Sequence, residues 1–295
     1  MNKEDFSLYT LLFNDMARKQ NLVYALMALS IASFLSITLL HTYPQITNEG
    51  VYLFMQDFLI FIISLIAFIM GFILVRRKYD FCGAWKYLTF GLGLWVIGEF
   101  IWMLYENVFG ILDPYPSIAD IFWVLGYLPF VTALIMHIKA INAKVILQNF
   151  FTSVTGAFAS AAALVYVFNM HIFPPGTNFF EGILALAYPL ADLILIVLSV
   201  FLIVHMLRHK DTEKCGNTNF TSWAFLAAGF LILAAADVLM DYSFVSDISL
   251  AGNFANVIYV ASYLLITISA FVAITSKSVV ISYPHHKAKL RAHAH

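Results

Sequence analysis

The chain has 295 residues, of which 62% are hydrophobic and 11% charged, and its formal net charge is −1. Soluble domains carry about 25% charged residues, so this composition excludes an ordinary soluble domain. The near-neutral charge gives no basic surface for nucleic acid, and the lipid bilayer is the first partner that we predict.

The sixteen Lys and Arg residues fall into five clusters separated by long apolar stretches. The clusters occupy residues 3–19, 76–86, 139–144, 208–214 and 277–291. Each interval between clusters is long enough for two crossings, and positive charge next to membrane helices stays cytoplasmic. The pattern predicts an all-α bundle of eight transmembrane helices in four hairpins, with both termini on the cytoplasmic side of the cell membrane.

The predicted spans in chain order are 21–41, 51–75, 85–109, 116–137, 148–171, 180–205, 220–243 and 253–275. We therefore expect one transmembrane domain over residues 21–275. Residues 1–20 are predicted to be a cytoplasmic segment, because their charged residues exclude the apolar core of a signal peptide. Residues 276–295 are predicted to form a basic, histidine-containing cytoplasmic tail.

An internal repeat relates the third and fourth spans to the seventh and eighth. Fourteen residues separate a tryptophan from an acid in both copies, from Trp85 to Glu99 and from Trp223 to Asp237. A second shared pattern follows, with Ala119, Asp120, Trp123 and Tyr127 in one copy and Ala255, Asn256, Tyr259 and Tyr263 in the other. Because every hairpin starts on the same side, the copies are predicted to be parallel, unlike the inverted repeats of many transporters.

Seven carboxylic acids fall within the predicted spans: Asp57, Glu99, Glu106, Asp120, Asp192, Asp237 and Asp241. A charge at the bilayer centre costs about 3 kcal/mol or more, so these side chains are predicted to face the bundle interior. No Lys or Arg lies deep in the spans to pair with them. Protons, hydrogen bonds, a bound cation or water must therefore satisfy them.

Helical spacing places these acids beside aromatic rings on shared faces. We predict an aromatic-walled acidic pocket that opens outward and binds a small ligand or a cation, since acids and aromatic faces both attract cations. The predicted lining residues are Glu99, Trp102, Glu106, Asp120, Trp123, Tyr127, Asp192, Asp237 and Asp241. The competing interpretation is that the carboxyls only join helices through hydrogen bonds, and a proton relay is a further possibility.

No catalytic signature is present, neither HExxH nor a Gly-x-Ser-x-Gly elbow nor a phosphate-binding glycine loop. The sequence therefore favours a non-enzymatic, sensor-like membrane protein, without a predicted metal site and with no cofactor specified. A transporter coupled to protons or cations through the same acids is the first alternative. A lipid-modifying membrane enzyme is the second.

One stretch carries a family resemblance. It runs from Gly98-Glu99-Phe100-Ile101-Trp102 through Pro116-Ser117-Ile118-Ala119-Asp120 to Gly126-Tyr127, and Tyr188-Pro189-Leu190-Ala191-Asp192 adds a second signature. These motifs resemble the multi-helix membrane sensory module that precedes diguanylate cyclase (GGDEF) and histidine kinase domains in prokaryotes. The resemblance covers roughly residues 50–275 and implies signal input. Because only about twenty residues follow the last span, we expect either output through a separate signalling partner or another use of the module; the oligomeric state is left open.

Overall fold

The computed structural model describes residues 3–43, 48–76, 83–140, 179–208, 218–246 and 249–275. Over these residues the protein is all-helical. The helices are α1 (Lys3–Thr42), α2 (Glu49–Arg76), α3 (Ala84–Asn107), α4 (Ile118–Ala140), α5 (Phe179–Arg208), α6 (Thr218–Ser246) and α7 (Ser249–Thr275).

All seven helices contain a stretch that is long and apolar enough to cross a bilayer. The stretches are 22 to 29 residues long. At 1.5 Å per residue even the shortest covers about 33 Å, which matches the hydrocarbon core. The chain is therefore a multi-pass membrane protein that is all-α over the described residues, and both features were predicted from the sequence.

Seven of the eight predicted spans coincide with these helices to within a few residues. The predicted fifth span, 148–171, lies outside the described residues, as does the predicted tail, 276–295. The boundary predicted at residue 20 falls inside α1, which begins at Lys3 and runs unbroken to Thr42. The apolar part of that helix, Gln20–Thr42, matches the predicted first span.

Six of the helices form a ring in which each contacts the next: α2, α3, α4, α5, α6, α7 and back to α2. Helix α1 packs outside the ring against α2 and α7. The end of α1 meets the starts of α2 and α7 where the Tyr52 hydroxyl contacts His41 Nδ1 and donates to Asn253 Oδ1, 3.1 Å away. Helix α1 is therefore antiparallel to both α2 and α7.

A turn at residues 108–117 connects α3 to α4, and it marks one end of the bundle. Gly110 in this turn has a φ of +67°, a left-handed conformation that glycine adopts without strain. We call this end the acidic end, because the carboxyls described below lie nearer to it than to the other end. The opposite end holds Gly83 at the start of α3.

The half of the bundle away from the acidic end is filled by rings and aliphatic side chains, and we call it the apolar half: Trp85, Leu88, Leu92, Phe130, Leu134, His137, Trp223, Leu226 and Phe230. All are buried. The His137 ring stacks on Trp223 with centroids 3.7 Å apart, and Phe130 contacts Phe230 at 5.1 Å. These contacts join α3, α4 and α6 into one packed layer.

Candidate functional site

The first residue of the site is Asp120, which lies in the first turn of α4. Ser117-Ile118-Ala119-Asp120 is a capping box at the beginning of α4, in which the Asp120 carboxyl accepts from the Ser117 backbone N–H at 2.6 Å. The other carboxyl oxygen accepts from the Tyr188 hydroxyl of α5 at 2.9 Å. Asp120 is 2% exposed. Its hydrogen bonds hold α4 in place and join it to α5.

Two carboxyls from different helices meet at a single hydroxyl. The Tyr127 hydroxyl of α4 lies 2.7 Å from Asp192 Oδ1 of α5 and 3.1 Å from Asp237 Oδ2 of α6. The two carboxyls also lie close enough to interact directly with each other. A carboxyl–carboxyl contact needs a proton or a cation between the oxygens, because two bare carboxylates repel.

The second oxygen of Asp237 accepts from the hydroxyl of Tyr259 on α7. Asp241 lies one helical turn further along α6, within electrostatic reach of Asp237. Helix α6 thus presents two acids on one face, as the four-residue spacing predicted. Asp237 is the point at which α4, α5, α6 and α7 all contribute a side chain.

Glu99 is held in a separate but adjoining contact. The Tyr263 hydroxyl of α7 donates to Glu99 Oε1 at 2.7 Å. The Trp123 indole lies beside the same carboxyl, and its N–H is buried without a hydrogen bond of normal geometry. Trp102 contacts Trp123 with ring centroids 5.5 Å apart, at the edge of this group.

Glu106 belongs to a different pair. It lies two turns beyond Glu99 on α3, where its carboxyl contacts Asp57 of α2. Asp57 also accepts from the Asn107 side chain, and Glu106 accepts from the Asp113 backbone N–H at 3.3 Å. This second carboxyl pair sits closer to the acidic end than Glu99 does.

Tyr115 lies in the turn at the acidic end, outside the membrane-spanning stretches. Burial raises the pKa of its hydroxyl, and the neighbouring carboxyls of Asp120, Asp241 and Glu181 raise it further. Tyr115 therefore keeps its proton at neutral pH and remains a hydrogen-bond donor next to three acids.

Of the nine predicted lining residues, the structure joins seven in one network, which we call the acid–tyrosine network: Glu99, Asp120, Trp123, Tyr127, Asp192, Asp237 and Asp241, with Tyr188, Tyr259 and Tyr263. Trp102 lies at its edge and Glu106 pairs with Asp57 instead. That these residues line a ligand pocket remains a prediction.

Three tyrosines of the network, Tyr188, Tyr259 and Tyr263, were not among the predicted lining residues. The repeat contained the signal for two of them, since Tyr259 and Tyr263 stand at the offsets of Trp123 and Tyr127. Tyr188 stands four residues before Asp192 in the second signature. Each donates its hydroxyl to an acid of the network.

The side chains of the network limit which positively charged ligands it could bind. The nearest Lys or Arg to Glu99 on α3 is Lys86, thirteen residues away and so about 20 Å along the helix. Groups of three or more His, Cys, Asp or Glu able to hold a metal ion are absent from the described residues. A proton or a loosely coordinated cation suits two carboxyls and tyrosine hydroxyls better than a tightly bound transition metal.

Comparison of the chain with family models, with curated proteins and with solved structures finds no match. The resemblance to sensory modules therefore stays a prediction, and function has to be argued from the residues themselves.

Proposed function

We propose that this multi-pass membrane protein is a sensor-like receptor whose acid–tyrosine network binds a proton or a small cation. The side chains that bind it are Asp192 and Asp237, with the hydroxyls of Tyr127 and Tyr259 around them. The remaining predicted lining residues shape the surroundings of this pair.

The observation that supports the proposal is the convergence of Asp192 and Asp237 on the one hydroxyl of Tyr127. Tyr259 gives Asp237 a second hydroxyl donor, so the two acids and the two tyrosines are equal in number. In a contact that only joins helices, such as Tyr188 with Asp120, one hydroxyl meets one carboxyl. Here two carboxyls also lie beside each other, and hydroxyl donors do not remove the repulsion between two carboxylates, so the pair favours one more positive charge.

Sensing is favoured over transport because the polar network stops near the middle of the bundle. One turn beyond Tyr127 on α4 lies Phe130, and two turns beyond Asp237 on α6 lies Phe230; both are 0% exposed and contact each other. A carrier needs access from both sides, whereas a receptor needs it from one. Within the described helices this packed layer separates the acids from the far end.

The resemblance to sensory modules of diguanylate cyclases and histidine kinases agrees with such a role. In this proposal the network receives the signal, and a signalling partner of that kind carries the output. The bilayer remains the environment in which the network binds its cation.

Thermal unfolding of the purified protein in lipid nanodiscs tests the proposal. The probes are Na⁺, K⁺ and tetramethylammonium at constant ionic strength, and a pH series for the proton. We expect one of them to raise the midpoint with increasing concentration, since a ligand that binds only the folded state stabilises it. Asp237→Asn should abolish the rise.

The matched control is Asp113→Asn, which changes an exposed aspartate in the turn. It should respond as the wild type does. An equal rise in Asp237→Asn and wild type would refute the proposal. Uptake of the same cation into proteoliposomes that is lost in Asp237→Asn would show a carrier instead of a receptor. Conversion of a lipid by the protein would show an enzyme.

A further inference from the structure

The repeat in the sequence relates α3 and α4 to α6 and α7, and the helix contacts extend this relation to two three-helix units. Unit A is α2, α3 and α4; unit B is α5, α6 and α7. Contacts within unit A, α2 with α3 and α3 with α4, correspond to α5 with α6 and α6 with α7 in unit B. The contacts between units, α4 with α5 and α7 with α2, also correspond. Exchanging the units maps the ring onto itself, as a two-fold axis along the bundle would.

Local packing follows the same relation. A Cβ added at Gly91 of α3 would lie 3.0 Å from the carbonyl oxygen of Gly126 on α4. At the equivalent Gly229 of α6 it would lie 3.2 Å from the carbonyl oxygen of Ser262 on α7. Each unit therefore contains one close helix approach at an equivalent glycine.

Residues near the axis meet their own equivalents. Trp85 of unit A corresponds to Trp223 of unit B, and the two rings contact each other with centroids 5.8 Å apart. A contact between equivalent residues is what an isologous interface produces at its axis. The axis therefore passes close to these two tryptophans.

The bonds between tyrosines and acids are exchanged between the units. Tyr127 of unit A donates to Asp237 of unit B at 3.1 Å. Its equivalent, Tyr263 of unit B, donates to Glu99 of unit A at 2.7 Å. Since Glu99 and Asp237 are also equivalent, the two bonds are a reciprocal pair across the axis.

Each acid also has a neighbour at an equivalent position in its own unit. Tyr259 donates to Asp237 within unit B, and Trp123, its equivalent, lies beside Glu99 within unit A. Neither acid site is complete without a side chain from the other unit. The two sites differ chemically because the carboxyl of Asp192 contacts Asp237, whereas an indole N–H lies beside Glu99.

We infer that Glu99 and Asp237 form two symmetry-related half-sites that are coupled through the exchanged tyrosines, Tyr127 and Tyr263. A tyrosine bond to a carboxylate is charge-assisted, so it weakens when a proton or cation takes up the same charge. Occupation of the Asp237 half-site weakens the Tyr127 bond between unit A and unit B. The Tyr263 bond to Glu99 crosses the same interface, so it changes as well. The identity of the occupant rests on the proposed function; the coupling of the units does not.

Pulsed electron paramagnetic resonance on the full chain measures this coupling directly. Spin labels are placed at Ile118 and Phe254, which are equivalent positions at the starts of α4 and α7 and are 53% and 57% exposed. The background carries Cys82→Ser and Cys215→Ser. Tyr127→Phe removes the bonds of unit A to Asp192 and Asp237, and Tyr263→Phe removes the bond of unit B to Glu99. Tyr259→Phe removes a bond to the same Asp237 within one unit.

We expect Tyr127→Phe and Tyr263→Phe to shift or broaden the distance distribution in the same direction. Tyr259→Phe should keep the wild-type distribution. Each variant should lower the unfolding midpoint by about 2–4 °C for each hydrogen bond that it removes, so all three remain folded. A wild-type distribution in Tyr127→Phe and Tyr263→Phe, or an equal change in Tyr259→Phe, would overturn the inference.

Adding the stabilising cation or proton to the wild type separates this inference from the proposed function. If Tyr127→Phe and Tyr263→Phe both shift the distance distribution and no cation stabilises the protein, the coupling stands and the receptor proposal fails. If a cation stabilises the protein but the variants leave the distribution unchanged, the receptor proposal stands and the coupling fails.

Discussion

The apolar half and the acid–tyrosine network are built on the same helices, yet they are held together differently. One turn along α4 separates Phe130, whose ring contacts Phe230 of α6, from Tyr127, whose hydroxyl contacts Asp237 of the same α6. In the apolar half the contacts are ring against ring. In the network the contacts between helices are mainly hydrogen bonds from tyrosine hydroxyls to carboxyls.

This difference shows how a membrane protein divides stability from chemistry. Lipid is as apolar as a leucine side chain, so close packing and hydrogen bonds join the helices instead of a hydrophobic effect. The apolar half supplies close packing, and the network supplies groups whose charge can change. Variants in the two halves should therefore fail in different ways.

The largest expected effect is loss of stability in the apolar half. Trp223→Ala removes the stack on His137 and the contact with Trp85, and it leaves a cavity in the layer. We expect the free energy of unfolding to fall by about 3–5 kcal/mol, measured by denaturant titration in detergent. The cation response should persist in the protein that remains folded.

The comparison variant for Trp223→Ala is Phe90→Ala, which truncates a ring that is 62% exposed on α3. It should change stability by much less than Trp223→Ala. Equal effects of the two would mean that the buried layer contributes no more than a lipid-facing ring.

A smaller effect, opposite in kind, is expected for Asp192→Asn. The amide removes one of two neighbouring carboxyls, so the cation response should weaken about tenfold, equivalent to about 1.4 kcal/mol of binding. Stability without added cation should stay the same or rise, because the amide has its own N–H donors for Asp237 and the contact no longer depends on a bound proton. Thermal unfolding in nanodiscs at a series of cation concentrations measures both the stability and the cation response. A lower unfolding midpoint with an unchanged cation response would mean that Asp192 joins helices and does not bind the cation.

Tyr188→Phe should affect stability alone. It removes the bond to Asp120, while the capping box at Ser117 stays intact, so we expect a loss of about 1 kcal/mol. The same cation series should give the wild-type response. A lost response would place Asp120 among the binding groups rather than the structural ones.

The smallest effect on the network is expected for Glu106→Gln. The Glu106 and Asp57 pair lies apart from Asp192 and Asp237, so the midpoint of the cation titration should move by less than about twofold. A larger shift would join the two carboxyl pairs into one site.

Much of the fold followed from the sequence because it depends on length and charge. Apolar stretches bounded by basic clusters located the described spans to within a few residues. Each span is helical because a segment in lipid can satisfy its backbone N–H and C=O groups only within itself. The continuation of α1 back to Lys3 was not predicted, since the residues before Gln20 are too polar to register as a span.

The candidate site was predicted less well because its pairings cross the bundle. Periodicity put Glu99 and Glu106 on one stripe, but two turns, about 10 Å, separate them, and Glu106 meets Asp57 of another helix. Which hydroxyl reaches which acid depends on how the helices pack. The repeat marked Tyr259 and Tyr263 as the equivalents of Trp123 and Tyr127. That Tyr127 and Tyr263 each bond to an acid of the other unit could be seen only once the ring of helices was known.

The central claim is that Asp192 and Asp237 hold a proton or a cation between them. Infrared difference spectroscopy of the carboxyl stretch, recorded while a cation is titrated into the wild type and Asp237→Asn, tests it most directly. The account predicts that the cation removes a protonated-carboxyl band in the wild type and that this change is missing in Asp237→Asn. An identical spectrum in both proteins, with or without cation, would contradict it.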